Sequence, residues 1–484
     1  MDKRKREAAV VCMLTIFSSL VYISLCFNNN VWMDEAFTAT LVKTDYPGVL
    51  QRSMNDTLPP LYNLLLKLAT DIFGYKVPVM KLLSASFMII LISVSARVIR
   101  KRFGLRTAAV YILALTFMPN MLFYGVEIRM YSLGFLFSTL SGIMAYECIV
   151  SPERKNWVIF TLVSVLSGYS HHFALVAAGF VYLFMIIYYL LFERENIKRM
   201  FVCIIASFFL YLPCFLVTLK QIRQVNGYFS MPEVTLPVFI KYMRYPYTVG
   251  FTPLSVALLL TVFFLFVRLI YRLFKVRTGV ASKKGRDEED AEKTGSRADI
   301  KDLCALSCFL IYYGVLVFGT VVSRIMTANI FVDRYLFFAM GLLWLFFALQ
   351  ASKLKKPLYI GVIVLELSVG IVTYTEAFKS EYAEGADDLI AYLYENVRDG
   401  DLLYTVEDAE GLSLSLPFYD DRLTNCEELK DLREAAEDGH TVWCAVLDGY
   451  EYDPGELEGL KLCPAGDFSF DRYTFKLYKT EFIN

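Results

Sequence analysis

Hydrophobic runs close to twenty residues long recur along this chain and are separated by short polar segments. A run of that length can cross the hydrocarbon core of a bilayer as an α-helix, although the fifth run is short for a span. The pattern predicts an all-α, polytopic membrane protein with about eleven transmembrane helices. The predicted spans are 8–27, 78–97, 106–123, 131–150, 156–170, 173–192, 200–219, 251–272, 303–323, 335–352 and 357–376.

The polar segment after the first run, residues 28–77, is unusually long for a loop between spans. Two of its stretches, 37–53 and 61–73, have apolar residues at helical spacing but are too short or too polar to cross a membrane. Pro59 and Pro60 precede the second stretch, and proline suits the first turn of a helix. We therefore expect two helices lying in the membrane interface.

The pattern changes again near Lys379, where the chain becomes acidic and amphipathic. Alternating helix-like and strand-like segments indicate a small C-terminal α/β domain. The sequence therefore divides into a membrane domain, 1–378, and a tail domain, 379–484. The predicted tail helices are 387–397 and 427–437, and the predicted tail strands are 401–406, 441–447 and 473–478.

Composition agrees with a membrane protein, since 56% of the 484 residues are hydrophobic and the mean hydropathy is +0.46. The net charge of −1 gives no general attraction for nucleic acid. Seven of the ten cysteines lie in or beside apolar runs, and the three in the tail lack the spacing of a zinc site. Residues 278–302, rich in Lys, Asp, Glu and Gly, are predicted to form a disordered linker.

Lysine and arginine are concentrated in alternate connecting segments, such as 97–106, 194–199 and 353–356. Placing the N-terminus in the cytoplasm puts these segments inside, as the positive-inside rule requires. The basic segment Met1–Arg6 precedes the first run without a clear cleavage site, which predicts an uncleaved signal anchor. An odd number of spans then places the tail domain outside the cytoplasm.

Two adjacent carboxylates, Asp34 and Glu35, follow Trp32 at the predicted outer end of the first span. A carboxylate there could accept the proton of an incoming hydroxyl group, which is the task of a general base. Alternatively, Asp34 could cap a helix that begins near Phe37. Asp56, further along the same loop, could bind substrate or form an Asx turn before Pro59.

Cations and aromatic residues occupy several predicted outer segments. An arginine can bind a phosphate through two parallel hydrogen bonds, but a long basic side chain at a span end can also simply reach the interface. Glu127 and Arg129 could likewise form a structural ion pair. The candidate phosphate-binding residues are Lys67, Arg129, Arg324, Arg334 and Tyr335, and Glu127 and Tyr131 are candidate substrate-binding residues.

His171 and His172 lie at a third predicted outer turn. Adjacent side chains do not share a helix face, so joint metal binding is disfavoured. Hydrogen bonding or polar lining of a site is the preferred interpretation. Glu366 lies inside the eleventh span, where a charge is costly and must be neutralised or paired.

All of the candidate residues except Glu366 fall on one predicted face of the membrane, although charge counting alone fixed the topology. Acidic groups, cations and histidines would thus meet above a lipid-facing core. The arrangement favours chemistry on an amphiphilic substrate with an anionic headgroup.

Five short motifs occur in an order and spacing that resemble those of the bacterial GT-C class glycosyltransferases. They are Trp32–Ala36, Asp56–Tyr62, Tyr124–Tyr131, Ser170–Phe173 and Asp333–Leu336. The sequence is most similar to the dolichyl-phosphate-mannose protein mannosyltransferases and the lipid A aminoarabinose transferases. The resemblance covers about residues 8–376 and implies a membrane enzyme that uses a polyprenyl-phosphate-linked sugar.

The resemblance also implies roles for individual residues. Asp34 matches the acidic residue proposed as catalytic base, with Glu35 beside it. Arg334 and Tyr335 match an element expected near the lipid phosphate. Relatives often carry histidine where this chain has Leu58, so that position cannot supply a polar contact here.

The resulting hypothesis is an inverting glycosyltransferase, a hexosyl- or pentosyltransferase, that acts at the outer face of the cell membrane. Its expected partners are a polyprenyl-phosphate sugar donor, the bilayer and an envelope acceptor whose identity the sequence does not give. Phosphate is already a good leaving group, so no cofactor is required and a divalent metal is optional. The alternatives are a transporter or flippase of a lipid-linked sugar and an inactive binding protein.

Overall fold

The computed structural model describes residues 3–228, 233–280, 288–326, 329–383, 385–406, 410–426, 432, 434, 436–448, 456–457, 460–470 and 473–482. Most of these residues are helical, and strands occur only in the described part of the tail. The helices are α1 Lys3–Ile23, α2 Met33–Leu41, α3 Tyr46–Asn55, α4 Leu61–Phe73, α5 Val77–Phe103, α6 Leu105–Phe117, α7 Met121–Val126, α8 Tyr131–Val150, α9 Arg154–Ser170, α10 His172–Leu191, α11 Ile197–Tyr228, α12 Leu236–Arg244, α13 Thr252–Val280, α14 Glu288–Ile325, α15 Phe337–Ala351, α16 Lys356–Glu381, α17 Ala386–Asn396 and α18 Glu410–Tyr419.

The chain forms two compact units. The first contains Met1–Ser24, Leu50–Leu64 and Leu83–Glu376, and the second contains Leu25–Val49, Leu65–Leu82 and Ala377–Asn484. The predicted boundary between residues 378 and 379 stays a prediction.

Ten of the eleven predicted spans each overlap one α-helix, and the span 106–123 overlaps two shorter ones, which confirms the predicted multi-pass fold. Within the described ranges, nine helices are long and apolar enough to cross a membrane. The other two are shorter, with 13 residues in α6 and 17 in α9. The predicted span 106–123 is broken after Phe117, because Pro119 cannot continue a helix and Asn120 adopts a left-handed φ of 69°.

The first unit is organised around α15, all fifteen residues of which are buried. Glycines let α8 approach α15 closely, as small residues commonly do between membrane helices. A Cβ atom on Gly134 would lie 2.5 Å from the Phe338 ring, and one on Gly142 would collide with Leu342. Any larger residue at these two positions would therefore force the Phe338 or Leu342 side chain to move.

The first outer loop differs in part from the expectation. The predicted helix 37–53 is two helices, α2 and α3, and α2 starts earlier than predicted, at Met33. The chain turns between them, where the Asp45 carboxylate accepts the Gly48 N–H at 2.9 Å and so caps α3. The predicted helix 61–73 is confirmed as α4.

The tail contains a six-stranded mixed sheet with the order β2-β1-β3-β6-β5-β4. β1 runs parallel to β2 and β3, and the remaining neighbours are antiparallel. One face packs against α17 and α18 through a core that includes Leu389, Leu412 and Trp443. The strands are β1 Leu402–Thr405, β2 Thr424–Asn425, β3 Val442–Leu447, β4 Glu456–Leu457, β5 Leu460–Phe470 and β6 Tyr473–Phe482.

The predicted α/β tail is thus confirmed, but its elements were only partly foreseen. The sequence pattern missed α18 and the strands β2, β4 and β5. β5 was missed because Pro464 and Gly466 interrupt its alternation at a bulge. The predicted helix 427–437 lies largely outside the described residues. The predicted linker 278–302 is helical wherever the structure describes it, at 278–280 and 288–302.

Orientation in the membrane stays a prediction with a direct test. Reporter fusions at Lys283 and Asn484 should report opposite sides of the membrane, with Lys283 cytoplasmic. An even number of spans between the two positions would place both reporters on one side. That result would remove the argument that the candidate residues share an outer face.

Candidate active site

The turn between α7 and α8 carries two buried charged side chains. Glu127 is 3% exposed and Arg129 is 9% exposed, and the Arg129 N–H donates to the Glu127 carbonyl at 2.7 Å. Tyr131, at the start of α8, is also buried and contacts the Tyr124 ring at 4.8 Å. The break at Asn120 forms this turn, since it ends α6 and lets the chain enter α8 through the short helix α7.

His171 lies between α9 and α10 with extended backbone and caps α10. Its Nδ1 atom accepts the Phe173 N–H at 3.0 Å, which places the proton of a neutral ring on Nε2. The ring stacks on Phe338 at 4.3 Å and contacts Tyr335 at 4.8 Å. Nε2 is buried and has no hydrogen-bond partner within the described ranges, so a donor remains available to a bound molecule.

The charges of two arginines from distant parts of the sequence lower the pKa of this histidine. Burial lowers the pKa of His171 well below its ordinary value, and the charges of His172, Arg129 and Arg334 lower it further. Such an effect requires the two guanidinium groups to lie near the same imidazole. Arg129 and Arg334, two of the predicted site residues, therefore lie within electrostatic range of His171, a third.

Arg334 and Tyr335 lie in a 3-10 turn, Asp333–Leu336, that leads into α15. The Asp333 carboxylate accepts the Arg334 N–H at 2.9 Å and fixes the turn. The Tyr335 ring stacks on Phe173 at 5.1 Å. The buried helix α15 thus supplies a rigid support for both residues.

The Asp56 loop is fixed by two side chains from other helices. Gln221 of α11 donates to the carbonyls of Ser53 and Leu58 at 3.1 and 2.9 Å. His172 Nε2 lies 3.2 Å from the Thr57 carbonyl. Hydrogen bonding by His172 was predicted, but the role of Gln221 was not, since the sequence shows only a polar residue beyond an apolar run.

A cavity of about 280 Å³ lies beside these residues in the first unit. Its wall is mostly apolar, with a few polar groups, which is the usual character of a site for an organic ligand. Leu58 contributes to the apolar part of the wall. The lining residues are Thr57, Leu58, His171, His172, Phe173, Leu175, Val176, Thr218, Gln221, Ile222, Phe318, Val322, Met326, Ile330 and Tyr335.

Other predicted site residues have separate surroundings. Arg324 is exposed at the end of α14 and donates to the Val234 carbonyl at 3.1 Å. In the second unit, Lys67 forms an ion pair with Asp71 at 2.5 Å, one turn along α4. The Lys67 ammonium therefore already has an anionic partner.

Asp34 and Glu35 lie in the first turn of α2, in the second unit. Glu35 is 4% exposed, and its carboxylate accepts the Trp32 N–H at 3.2 Å. The capping function expected of Asp34 thus belongs to Glu35, because the helix begins four residues earlier than predicted. Asp34 is half-buried, so its carboxylate is the more accessible of the two.

A buried polar network in the second unit fixes the chain just before α2. The Lys81 ammonium, 1% exposed, donates to Glu381 and to Asn28 Oδ1, the latter at 2.9 Å. Asn30 Nδ2 donates to the Glu381 carbonyl at 2.8 Å. The sequence did not reveal this network, because its members are separated by up to 353 residues.

Protonation of His171 should lower the stability of the folded protein. Its folded-state pKa is depressed, so the neutral form stabilises the protein above the ordinary pKa of about 6.5. This stabilisation is lost as the pH falls below 6.5 towards the folded-state value, by at most about 1.4 kcal/mol per pH unit. Wild-type protein in detergent should melt at lower temperature at pH 5.5 than at pH 7.5, and His171→Gln should show a smaller difference. Equal differences in both proteins would contradict a neutral, buried His171.

The part of the chain that the structure describes contains no group of three or more His, Cys, Asp or Glu side chains arranged to hold a metal ion.

The fold is that of a polytopic membrane protein with a GT-C-like architecture, as the motifs had indicated. Its fold is similar to that of ArnT, the lipid A aminoarabinose transferase, from Cupriavidus metallidurans. The apo ArnT structure matches with a TM-score of 0.63 and 12% identity, over 98% of this chain and 98% of that chain. ArnT bound to undecaprenyl phosphate matches with a TM-score of 0.60 and 13% identity, over 97% and 98%.

The oligosaccharyltransferase of Archaeoglobus fulgidus, in a complex with Zn and sulfate, is also similar. It matches with a TM-score of 0.49 and 12% identity, over 94% of this chain and 72% of that chain. No protein-family model and no curated protein sequence matches this chain.

Proposed function

We propose that this protein is an inverting glycosyltransferase that moves a sugar from a polyprenyl-phosphate-linked donor to an acceptor hydroxyl at the outer face of the membrane. The observation that carries the proposal is an apolar cavity lined by His171, on which the charges of Arg129 and Arg334 act. Tyr335 also lines the cavity. A cavity of this kind suits a molecule with a hydrocarbon part and an anionic part, and the similar ArnT fold has been observed with undecaprenyl phosphate.

In the proposed reaction, the acceptor oxygen attacks the anomeric carbon of the sugar from the face opposite the phosphate. The new carbon–oxygen bond forms while the bond between the sugar and the phosphate oxygen breaks. Asp34 accepts the proton of the hydroxyl group, and its half-buried carboxylate in the first turn of α2 supports this role. The polyprenyl phosphate leaves as an anion.

Arg129 and Arg334 would stabilise the departing phosphate. Arginine suits this task because it stays charged and can form two parallel hydrogen bonds to phosphate oxygens. His171 could donate a further hydrogen bond from Nε2. Lys67 and Arg324, which were also candidates, contact Asp71 and the Val234 carbonyl instead, so the proposal assigns the phosphate to the other two cations.

Asp56, Glu127 and Tyr131 are proposed to bind the sugar or the acceptor. Asp56 is half-buried in a loop that Gln221 and His172 hold in place. Glu127 lies close enough to Tyr131 for its charge to act on the phenol. Carboxylates and phenols are suitable partners for sugar hydroxyl groups.

Filling the cavity should weaken donor binding without disturbing the rest of the fold. Val176 lines the cavity and is only half-buried, so Val176→Phe should place its ring in the empty volume. We expect the Kd for a polyprenyl-phosphate sugar to rise about tenfold, because overlap of one aromatic ring with the lipid costs about 1–2 kcal/mol. Binding can be measured by tryptophan fluorescence or microscale thermophoresis in detergent.

Val158→Phe is the matched control, since Val158 is 49% exposed on α9 and does not line the cavity. It should leave the Kd unchanged. Equal affinities for the wild type and Val176→Phe, with the melting temperature preserved, would show that the donor does not occupy this cavity.

A further inference from the structure

A second cavity in the first unit has a very different wall. It has a volume of about 530 Å³ and is lined by five cations, Lys101, Arg102, Arg272, Lys301 and Lys353. These residues come from the end of α5, from α13 and α14, and from the segment after α15. Helices from separate parts of the chain thus converge to concentrate positive charge in one concave space.

Two carboxylates organise the cations but do not neutralise all of them. Glu147 of α8 binds Arg102 through two hydrogen bonds of 2.6 Å. Asp302, which is 6% exposed, forms ion pairs with both Arg272 and Lys353. Among the residues whose side chains the structure describes, five cations line the cavity and two carboxylates pair with them, which leaves a positive excess in this part of the wall. The exposed pair Glu153 and Lys155 adds an acidic group nearby whose charge also acts on Arg102.

The pKa of Lys353 reflects the charges that surround its side chain. Burial lowers the pKa of Lys353, Asp302 raises it, and the charges of Arg272 and Lys301 lower it again. Arg272 and Lys301 therefore both repel the Lys353 ammonium. An additional anion in the cavity would relieve this repulsion.

An apolar groove between α8, α10 and α14 adjoins the cavity. Tyr146 and Ile300 line both spaces. The remaining wall of the groove is formed mostly by apolar side chains such as Ile149, Phe184 and Leu303, and its volume is about 70 Å³. An apolar slot beside a cationic cavity suits the upper part of one lipid, with the phosphate in the cavity and the methylenes nearest to the headgroup in the slot.

We propose that this cationic cavity and its groove bind one anionic phospholipid between α5, α8, α13 and α14. The phosphodiester accepts hydrogen bonds from Lys101, Lys301 and Nη1 of Arg102, and the first methylenes of an acyl chain lie against Tyr146 and Ile300. Cationic spaces between membrane helices are suited to anionic lipid headgroups, and each nearby cation contributes about a fivefold gain in affinity. The site is separate from the cavity beside His171, with which it shares no lining residue.

The test uses the full-length protein, delipidated in a neutral detergent and titrated with dioleoylphosphatidylglycerol while bound lipid is counted by native mass spectrometry. We expect one molecule to bind much more tightly than dioleoylphosphatidylcholine. Lys101→Gln combined with Lys301→Gln should weaken this binding about 30-fold, since two cations are removed. The matched control is Lys198→Gln with Lys356→Gln, which removes two exposed lysines that do not line the cavity and should leave affinity unchanged.

Two further measurements distinguish binding of the lipid from binding of free phosphate. Inorganic phosphate at millimolar concentration should compete only weakly, because it lacks the chain. Ser307→Leu, which narrows the groove, should weaken binding of the lipid. Equal binding of the two phospholipids by wild-type protein would overturn the proposal, as would equal loss in the cavity and control variants. Full competition by inorganic phosphate would show that the cavity holds a phosphate ion rather than a lipid.

Discussion

Replacing Asp34 by asparagine should lower the rate of sugar transfer by roughly 10²–10⁴-fold, the usual contribution of a general base. Asparagine keeps the size and hydrogen bonding of the side chain but cannot take the proton of the acceptor. Donor affinity should change little, because the proposal assigns donor binding to the lipid, Arg129 and Arg334. Turnover by purified Asp34→Asn and wild-type protein, together with the donor Kd of each, measures both expectations.

Glu35 provides the matched control for Asp34. The neighbouring carboxylate is buried and accepts the Trp32 N–H, so it stabilises the start of α2 rather than facing a substrate. Glu35→Gln retains an acceptor oxygen and should keep most of the activity. If Asp34→Asn were as active as the wild type, the base would have to be sought elsewhere, with Asp56 and Glu127 as the remaining carboxylate candidates.

The second large effect is expected at Arg334. Removing a charged hydrogen-bond donor from a phosphate costs about 1.5–3 kcal/mol, which corresponds to about a 10–100-fold rise in the donor Kd. Arg334→Ala should show this loss in full. Arg334→Lys should recover only part of the affinity, because lysine keeps the charge but cannot form the two parallel hydrogen bonds of a guanidinium group.

Arg324→Ala serves as the control for Arg334→Ala, since Arg324 is exposed and donates to a backbone carbonyl. It removes the same charge and should leave the donor Kd within about twofold. Unchanged donor affinity in both Arg334 variants would mean that Arg334 only reaches the membrane interface. Comparable losses in Arg324→Ala and Arg334→Ala would indicate a general effect of charge instead of a phosphate contact.

The membrane fold was largely predictable from the sequence, because a bilayer demands long apolar helices and these are visible as unbroken runs. The predicted helices were wrong where an apolar pattern and a local helix-breaking signal occur in the same stretch of sequence. The apolar run at 106–123 hides a break at Asn120, and the helical spacing at 37–53 hides the turn capped by Asp45. The tail was harder, since the interrupted strand β5 lacks a regular alternation.

The candidate site was predictable as a set of residues but not as an arrangement. The sequence predicted that Arg129, His171 and Arg334 lie on one side of the membrane, and in the structure the charges of both arginines lower the pKa of the histidine. The sequence could not show that His172 and Gln221 support the Asp56 loop. It also could not show that Lys81 and Glu381 fix the segment before α2. These contacts join residues far apart in sequence, and no local pattern records them.

The most direct test of the central proposal is incubation of the purified protein with a panel of polyprenyl-phosphate sugars and envelope acceptors, measuring released polyprenyl phosphate. The glycosyltransferase account predicts release with at least one donor, dependence on acceptor, inversion at the anomeric carbon in the product, and loss of release in Asp34→Asn. A transporter of the same lipid would bind a donor and release no polyprenyl phosphate. Tight donor binding without release, across the panel and in the presence of acceptor, would contradict the account.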